Sequence, residues 1–208
     1  MDLQTLEAQT YSVLRDAERA FFDKEEVDTW LNEGQLDLAV RLNLLQHLWT
    51  GTTSDDEIDV PEGLVMALSL RVGNEVVKFV DDQTFTDFAD PGANPPVRIA
   101  REFAGSFQIY PGVDETTDYE IRGVQTPDAL TDPQDVPQLP AHLHPKLLHY
   151  ARYQALLKEG SDRWQAYAAL YSENLPPPPT GLVRLQPGPF QLIPMPGPFD
   201  SDVDATHQ

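Results

Sequence analysis

Residues 64–80, LVMALSLRVGNEVVKFV, decide what kind of fold this chain can have. Leu64, Met66, Leu68, Leu70 and Val72 alternate with Val65, Ala67, Ser69 and Arg71, the period of a strand with one face on a core. Gly73-Asn74 then supplies a turn, and Glu75–Val80 reads as the return strand. Downstream, VRIAREF (97–103), SFQIYP (106–111) and DYEIRGVQTP (118–127) read as further short strands punctuated by Gly, Pro and Asp, with TFTDFADPGANPP (84–96) as a loop between. About five short strands imply a small antiparallel sheet or sandwich.

On both sides of this β region the repeat is helical. Leu3, Leu6, Thr10, Val13, Leu14, Ala17, Ala20 and Phe21 form one stripe over residues 2–21, with Asp2 as cap. A second helix is expected over 23–49, opened by the capping-box pair Asp23 and Glu26 and striped by Val27, Trp30, Leu31, Gly34, Leu38, Leu42 and Leu45. Gly34 costs about 1 kcal/mol against Ala in mid-helix, so close approach of another backbone is expected there. Residues 144–175 return to helix. Gly160 breaks it, Ser161 or Asp162 caps the next helix, and Trp164, Tyr167, Ala168, Tyr171 and Leu175 make the last stripe. Leu14, Trp30, Leu38, Leu148, Tyr150, Trp164, Tyr167 and Tyr171 are the expected helical core.

The fold class expected is therefore α+β: a helical bundle with a small antiparallel β insertion and an extended proline-rich C-terminal tail. The expected organisation is 1–50 and 139–176 for the two parts of the bundle, 58–130 for the insertion and 177–208 for the arm. The prolines of the arm forbid helix and central strand. Yet Leu182, Val183, Leu185, Phe190, Leu192, Ile193, Met195 and Phe199 are too apolar for a plain linker, so it reads as a docking arm, with a flexible tail as the alternative.

Composition narrows function. The chain has no cysteine, which excludes disulfides, thiolate nucleophiles and Cys-based metal sites. No stretch approaches the roughly 18 apolar residues of a membrane span, and no targeting segment is visible. Acidic residues number 34 against 14 basic ones, a formal net of −20, and Lys24, Lys78, Lys146 and Lys158 are the only lysines. Such a surface repels phosphate backbones and anionic membranes, which argues against a conventional DNA-binding module. It suits a protein in concentrated salt, or the wall of a passage for a polyanion.

Three of the five histidines, His142, His144 and His149, fall within LPAHLHPKLLHYARYQALLKEG (139–160). His149 lies about 140° around a helix from His144, poor geometry for joint chelation, and Pro145 marks a helix start. They read as helix-start and surface histidines, neither metal-binding nor catalytic. The acidic stretch TGTTSDDEID (50–59) lacks the oxygen spacing of a calcium loop and reads as solvated. No phosphate loop, nucleophile elbow or distinct carboxylate pair is present, so no catalytic residue and no cofactor is expected.

The order of elements resembles a known family. FQIYP and DYEIRGVQTPDALTD lead to LPAHLHPKLLHYARYQAL, a short KEGSD break and WQAYAALYSENL, while DTWLNEGQLDLAVRLNLL (28–45) forms an earlier helix. This resembles the head–tail connector adaptor proteins of tailed double-stranded DNA viruses. The resemblance implies a non-enzymatic structural protein of the virion neck, present in the host cytoplasm during assembly. It implies a homo-oligomeric, dodecameric ring below the portal that extends the DNA channel and joins capsid to tail. Its partners would be itself, the portal protein, a stopper or tail protein, and double-stranded DNA passing without specific binding. The eight apolar arm residues, Leu182 to Phe199, would make inter-subunit or portal contacts, and the scarcity of lysine suggests a halophilic host. Another neck component (a stopper or tail terminator), or an acidic halophilic protein-binding module, stands as the alternative.

Overall fold

The first three helices begin where a side chain accepts one of their first free amides. In the computed structural model, which describes residues 1–16, 21–89, 97–113 and 115–179, the Asp2 carboxylate accepts from the Thr5 amide and opens α1 (Leu3–Leu14). Asp23 and Glu26 form the expected capping box at the start of α2 (Lys24–Arg41). Both helices are shorter than their sequence stripes. Arg15 takes a left-handed conformation (φ 59°) and ends α1, and Asp16 accepts from the amides of Phe21 and Phe22. Asn43 and Leu45 also have positive φ, so α2 stops at Arg41 and the chain turns out of helix before Trp49.

The segment after α2 overturns the expected helical bundle with a small antiparallel insertion. Residues Gln46–Thr53, expected to end a helix and begin an acidic loop, form β1, and Glu57–Asp59 form β2. Then come β3 (Leu64–Val72), β4 (Glu75–Phe79), α3 (Asp82–Ala89), β5 (Ile99–Phe103), β6 (Ser106–Tyr110) and β7 (Thr117–Gln125). The seven strands make one sheet in the order β1-β7-β3-β4-β5-β6-β2. It is mixed, because β4 and β5 pair in parallel while every other pair is antiparallel. Parallel neighbours need a crossover. Helix α3, whose first turn is capped by Asp81, lies in that crossover, where the sequence suggested only loop.

The sheet cannot be flat. Seven strands about 4.8 Å apart would separate β1 from β2 by roughly 29 Å. Yet only Ser54–Asp56 joins them, and four peptide steps reach about 14 Å at most. The sheet therefore curls until its ends nearly meet. Thr53 Oγ1 donates to the Glu57 carbonyl across that corner at 2.9 Å. Ile58, Leu70, Val72, Val77, Ala100, Phe107, Ile109 and Ile121 fill the interior of this nearly closed barrel.

Strand β3 belongs to two cores at once, where the sequence suggested one buried face. Register shifts between Leu64 and Met66 and between Ala67 and Ser69 turn successive residues out of strict alternation. Leu64, Ala67, Leu70 and Val72 face the barrel interior, while Val65, Met66 and Leu68 pack with Val124 against the helices. The helical side is completed by a short 3-10 turn (Ala141–Leu143), α4 (His144–Glu159) and α5 (Trp164–Ser172). Of the expected helical core, Leu38, Leu148, Tyr150 and Tyr171 are buried, and Leu14, Trp30, Trp164 and Tyr167 pack partly buried against them. Gly160 ends α4 as expected, at φ 73°. Neither Ser161 nor Asp162 caps α5 through its side chain; Trp164 instead donates its amide to the Ser161 carbonyl. Gly34 meets the ring of Tyr150, 3.1 Å from the position a Cβ would take, so a side chain and not a backbone explains it.

Candidate interaction surfaces

Helix α2 carries charges on its buried face, at positions its apolar stripe hid. Glu33, Asp37 and Arg41 recur at four-residue spacing and are all buried. Burial pushes the Glu33 carboxyl up to about 7, opposed by a hydrogen bond from Tyr150. Gln154 Nε2 in turn donates to the Tyr150 hydroxyl at 3.0 Å. Tyr171 donates its hydroxyl to Asp37, whose carboxylate also meets Arg41 Nε at 2.7 Å. Burial raises Asp37 above the usual carboxylate range, against the pull of Arg41. A raised carboxyl can mark an acid or base. Here Glu33 is 8 % exposed and Tyr171 fully buried, which puts the cluster out of a substrate's reach. It ties α2 to α4 and α5.

The three clustered histidines part company. His142 is exposed at the helix start, as expected. His144 is buried, contrary to the surface reading: its Nδ1 accepts from the Met1 ammonium at 2.9 Å, which leaves Nε2 to donate to the Leu139 carbonyl at 3.2 Å. His149 is half-buried beside the Tyr167 ring, its pKa lowered by burial and then by Arg152 and Lys146. His47 lies exposed on β1 against Trp49. Among the described residues, no three His, Asp or Glu side chains gather as metal ligands.

Among the described residues, two surfaces of the β part are open to partners. One is the outer edge of β1: among the described residues this end strand pairs only with β7, and Leu48 is 47 % exposed on it. Such an edge is a template for pairing with another chain. The other is an acidic rim. Loop 54–56, the β3–β4 turn and the start of β7 meet at one end of the barrel, since Gly73 donates its amide to the Asp118 carbonyl and Asp56 abuts Gly112. Exposed Asp55, Asp56, Glu57, Glu75, Glu115 and Asp118 lie there. Arg98 bonds Glu75 at 3.1 Å and the carbonyls of Pro111 and Gly112. The eight apolar arm residues, Leu182 to Phe199, lie outside the described residues.

Among the described residues the titratable cluster of α2 is buried and no metal-ligand group forms, while the open features suit contact with other chains. Residues 1–176 match the family described as SU10 adaptor protein, both the helical segments and the whole barrel. The chain belongs to that family. No curated protein matches it. This adaptor is thus a head–tail adaptor of a tailed virus, a structural component of the virion neck that acts through contacts with other virion components. The resemblance drawn from FQIYP, the 139–156 helix start and the 28–45 helix therefore pointed to the right family, although the fold class drawn beside it was wrong. The β1 edge and the gathering of carboxylates at the barrel rim are open surfaces that sequence reasoning missed. Burial of Glu33, Asp37 and Arg41 carried one weak signal, their four-residue spacing in a helix.

Proposed function

We propose that this adaptor assembles as a ring, expected to be a dodecamer, directly below the portal, where it extends the DNA channel and joins the capsid to the tail. Family membership over residues 1–176 is the observation that carries this reading. Charge supports it: a chain with 34 acidic and 14 basic residues repels the phosphate backbone, as a wall along which DNA slides without sticking requires. The outer β1 edge supports it too, because a closed ring of identical subunits needs two different complementary surfaces on each copy. We assign the apolar arm residues Leu182, Val183, Leu185, Phe190, Leu192, Ile193, Met195 and Phe199 to contacts with a sister subunit or the portal.

Sedimentation and electron microscopy of the full chain, alone and with its portal, test this. A ring with an axial channel on the portal is expected, and a chain truncated after residue 176 should bind portal or sister subunit more weakly while keeping its circular dichroism. A chain that stays monomeric under every condition, from low to multimolar salt and with portal present, overturns the ring. Binding to the tail tube in place of the portal moves the chain to the stopper or terminator position.

A further inference from the structure

In a chain whose residues are 23 % charged, the outward face of α1 carries no charge at all. Its one charged residue, Glu7, is buried and pairs with Lys24 at 2.7 Å, leaving Gln4, Ala8, Gln9, Ser12 and Val13 exposed. Depletion of charge marks the centre of protein–protein interfaces. Beside this face runs a groove of about 440 Å³ whose far wall is Arg152 of α4. Arg152 is half-buried, and its guanidinium donates to the Gln9 carbonyl at 3.4 Å. Its Nε is buried with no hydrogen-bond partner, and among the described residues no carboxylate pairs with it. Lys146 lies six positions before it on the same helix, and burial favours the neutral form of His149 between them, so Lys146 and Arg152 are the charged groups here. Lys146 donates to the carbonyls of Leu170 and Glu173, at the end of α5.

We propose that the α1–α4 groove is a subunit–subunit contact of the ring, in which Arg152 receives a carboxylate of a second copy. This contact rests on the ring reading. A second copy fits because a surface with 20 surplus negative charges offers carboxylates in almost any orientation, while the uncharged wall of α1 accepts it without like-charge repulsion. A nucleic acid fits poorly, since α1 adds no cation to Lys146 and Arg152 and DNA binding needs many phosphate contacts.

The test uses the full chain with its portal, read by sedimentation velocity, with melting of the monomer as a fold control. Arg152→Glu should raise the concentration for half-assembly by at least about tenfold, and Arg152→Lys should restore most of it. Ala8→Trp, which fills the groove without touching charge, should disrupt assembly similarly and decides the matter if Arg152→Glu fails to fold. Added salt should loosen wild-type rings and affect Arg152→Gln rings less. If both Arg152→Glu and Ala8→Trp form rings at wild-type concentrations, this contact is wrong and the ring stands. If the wild type forms none, ring and contact fall together. Retention of a short DNA duplex by the wild type, lost in Arg152→Glu, would reassign the groove to phosphate binding and overturn the proposal.

Discussion

Glu33 shows how one carboxylate can shape the pH response of the whole chain. Its pKa is raised from 4.5 to about 7, mainly by burial between α2 and α4. Below about pH 4.5 the group is protonated folded or unfolded. As pH rises toward 7 the unfolded chain loses that proton while the folded chain keeps it, so stability falls through this window and levels off above it. Glu33→Gln keeps a neutral partner for Tyr150 and removes the titration. Between pH 5 and pH 8 the wild type should lose about 1–2 kcal/mol more than the variant in urea unfolding, once partial solvent screening is allowed for. Parallel profiles would refute this. Sequence reading missed Glu33 because a carboxylate in a helix is most often solvated; only Tyr150, 117 positions away, and its neighbours show otherwise.

At the level of elements, β3 and β7 join the barrel to the helices, and at Gly123 the backbone of β3 leaves no room for a side chain. A Cβ at Gly123 would sit 2.5 Å from the Met66 carbonyl oxygen and against the Leu64 side chain, next to the irregular register of β3. Gly123→Ala should therefore cost about 3 kcal/mol or more, since backbone cannot yield as a flexible side chain does. A melting temperature equal to that of the wild type would show that this packing is wrong. Local signals located β3 to β7, the cap at Asp2, the capping box at Asp23 and the break at Gly160 well. They failed at Leu42–Trp49, whose leucines continue a helical stripe although Asn43 turns the chain and residues 46–53 pair with β7. The three-residue strand β2 was invisible for a different reason: its place depends on Ser106–Gln108, some fifty residues on.

For the whole molecule the governing number is the net charge of −20. With carboxylates gathered at the barrel rim, self-repulsion opposes the compact state, and salt shortens its range from about 30 Å at 0.01 M to about 3 Å at 1 M. Raising KCl across that interval should raise the melting temperature by at least about 4 °C, equivalent to about 1–2 kcal/mol for a chain this size. Chloride is the choice because sulfate would strengthen apolar burial as well. A flat response would mean that opposite charges already screen one another in the fold.

By itself the sequence determined the short-range chemistry: the caps at Asp2 and Asp23, the period-two stretch from Leu64, the break at Gly160, the charge excess, and the packing residues that resemble an adaptor. Those depend on neighbours a few positions away, which a linear reading contains. Only the tertiary structure decided that the β part is a nearly closed mixed barrel, that β3 serves two cores, and that Glu33, Asp37 and His144 are buried. Strand pairing and desolvation are set by partners tens to more than a hundred residues distant, and no local period records which partner will arrive.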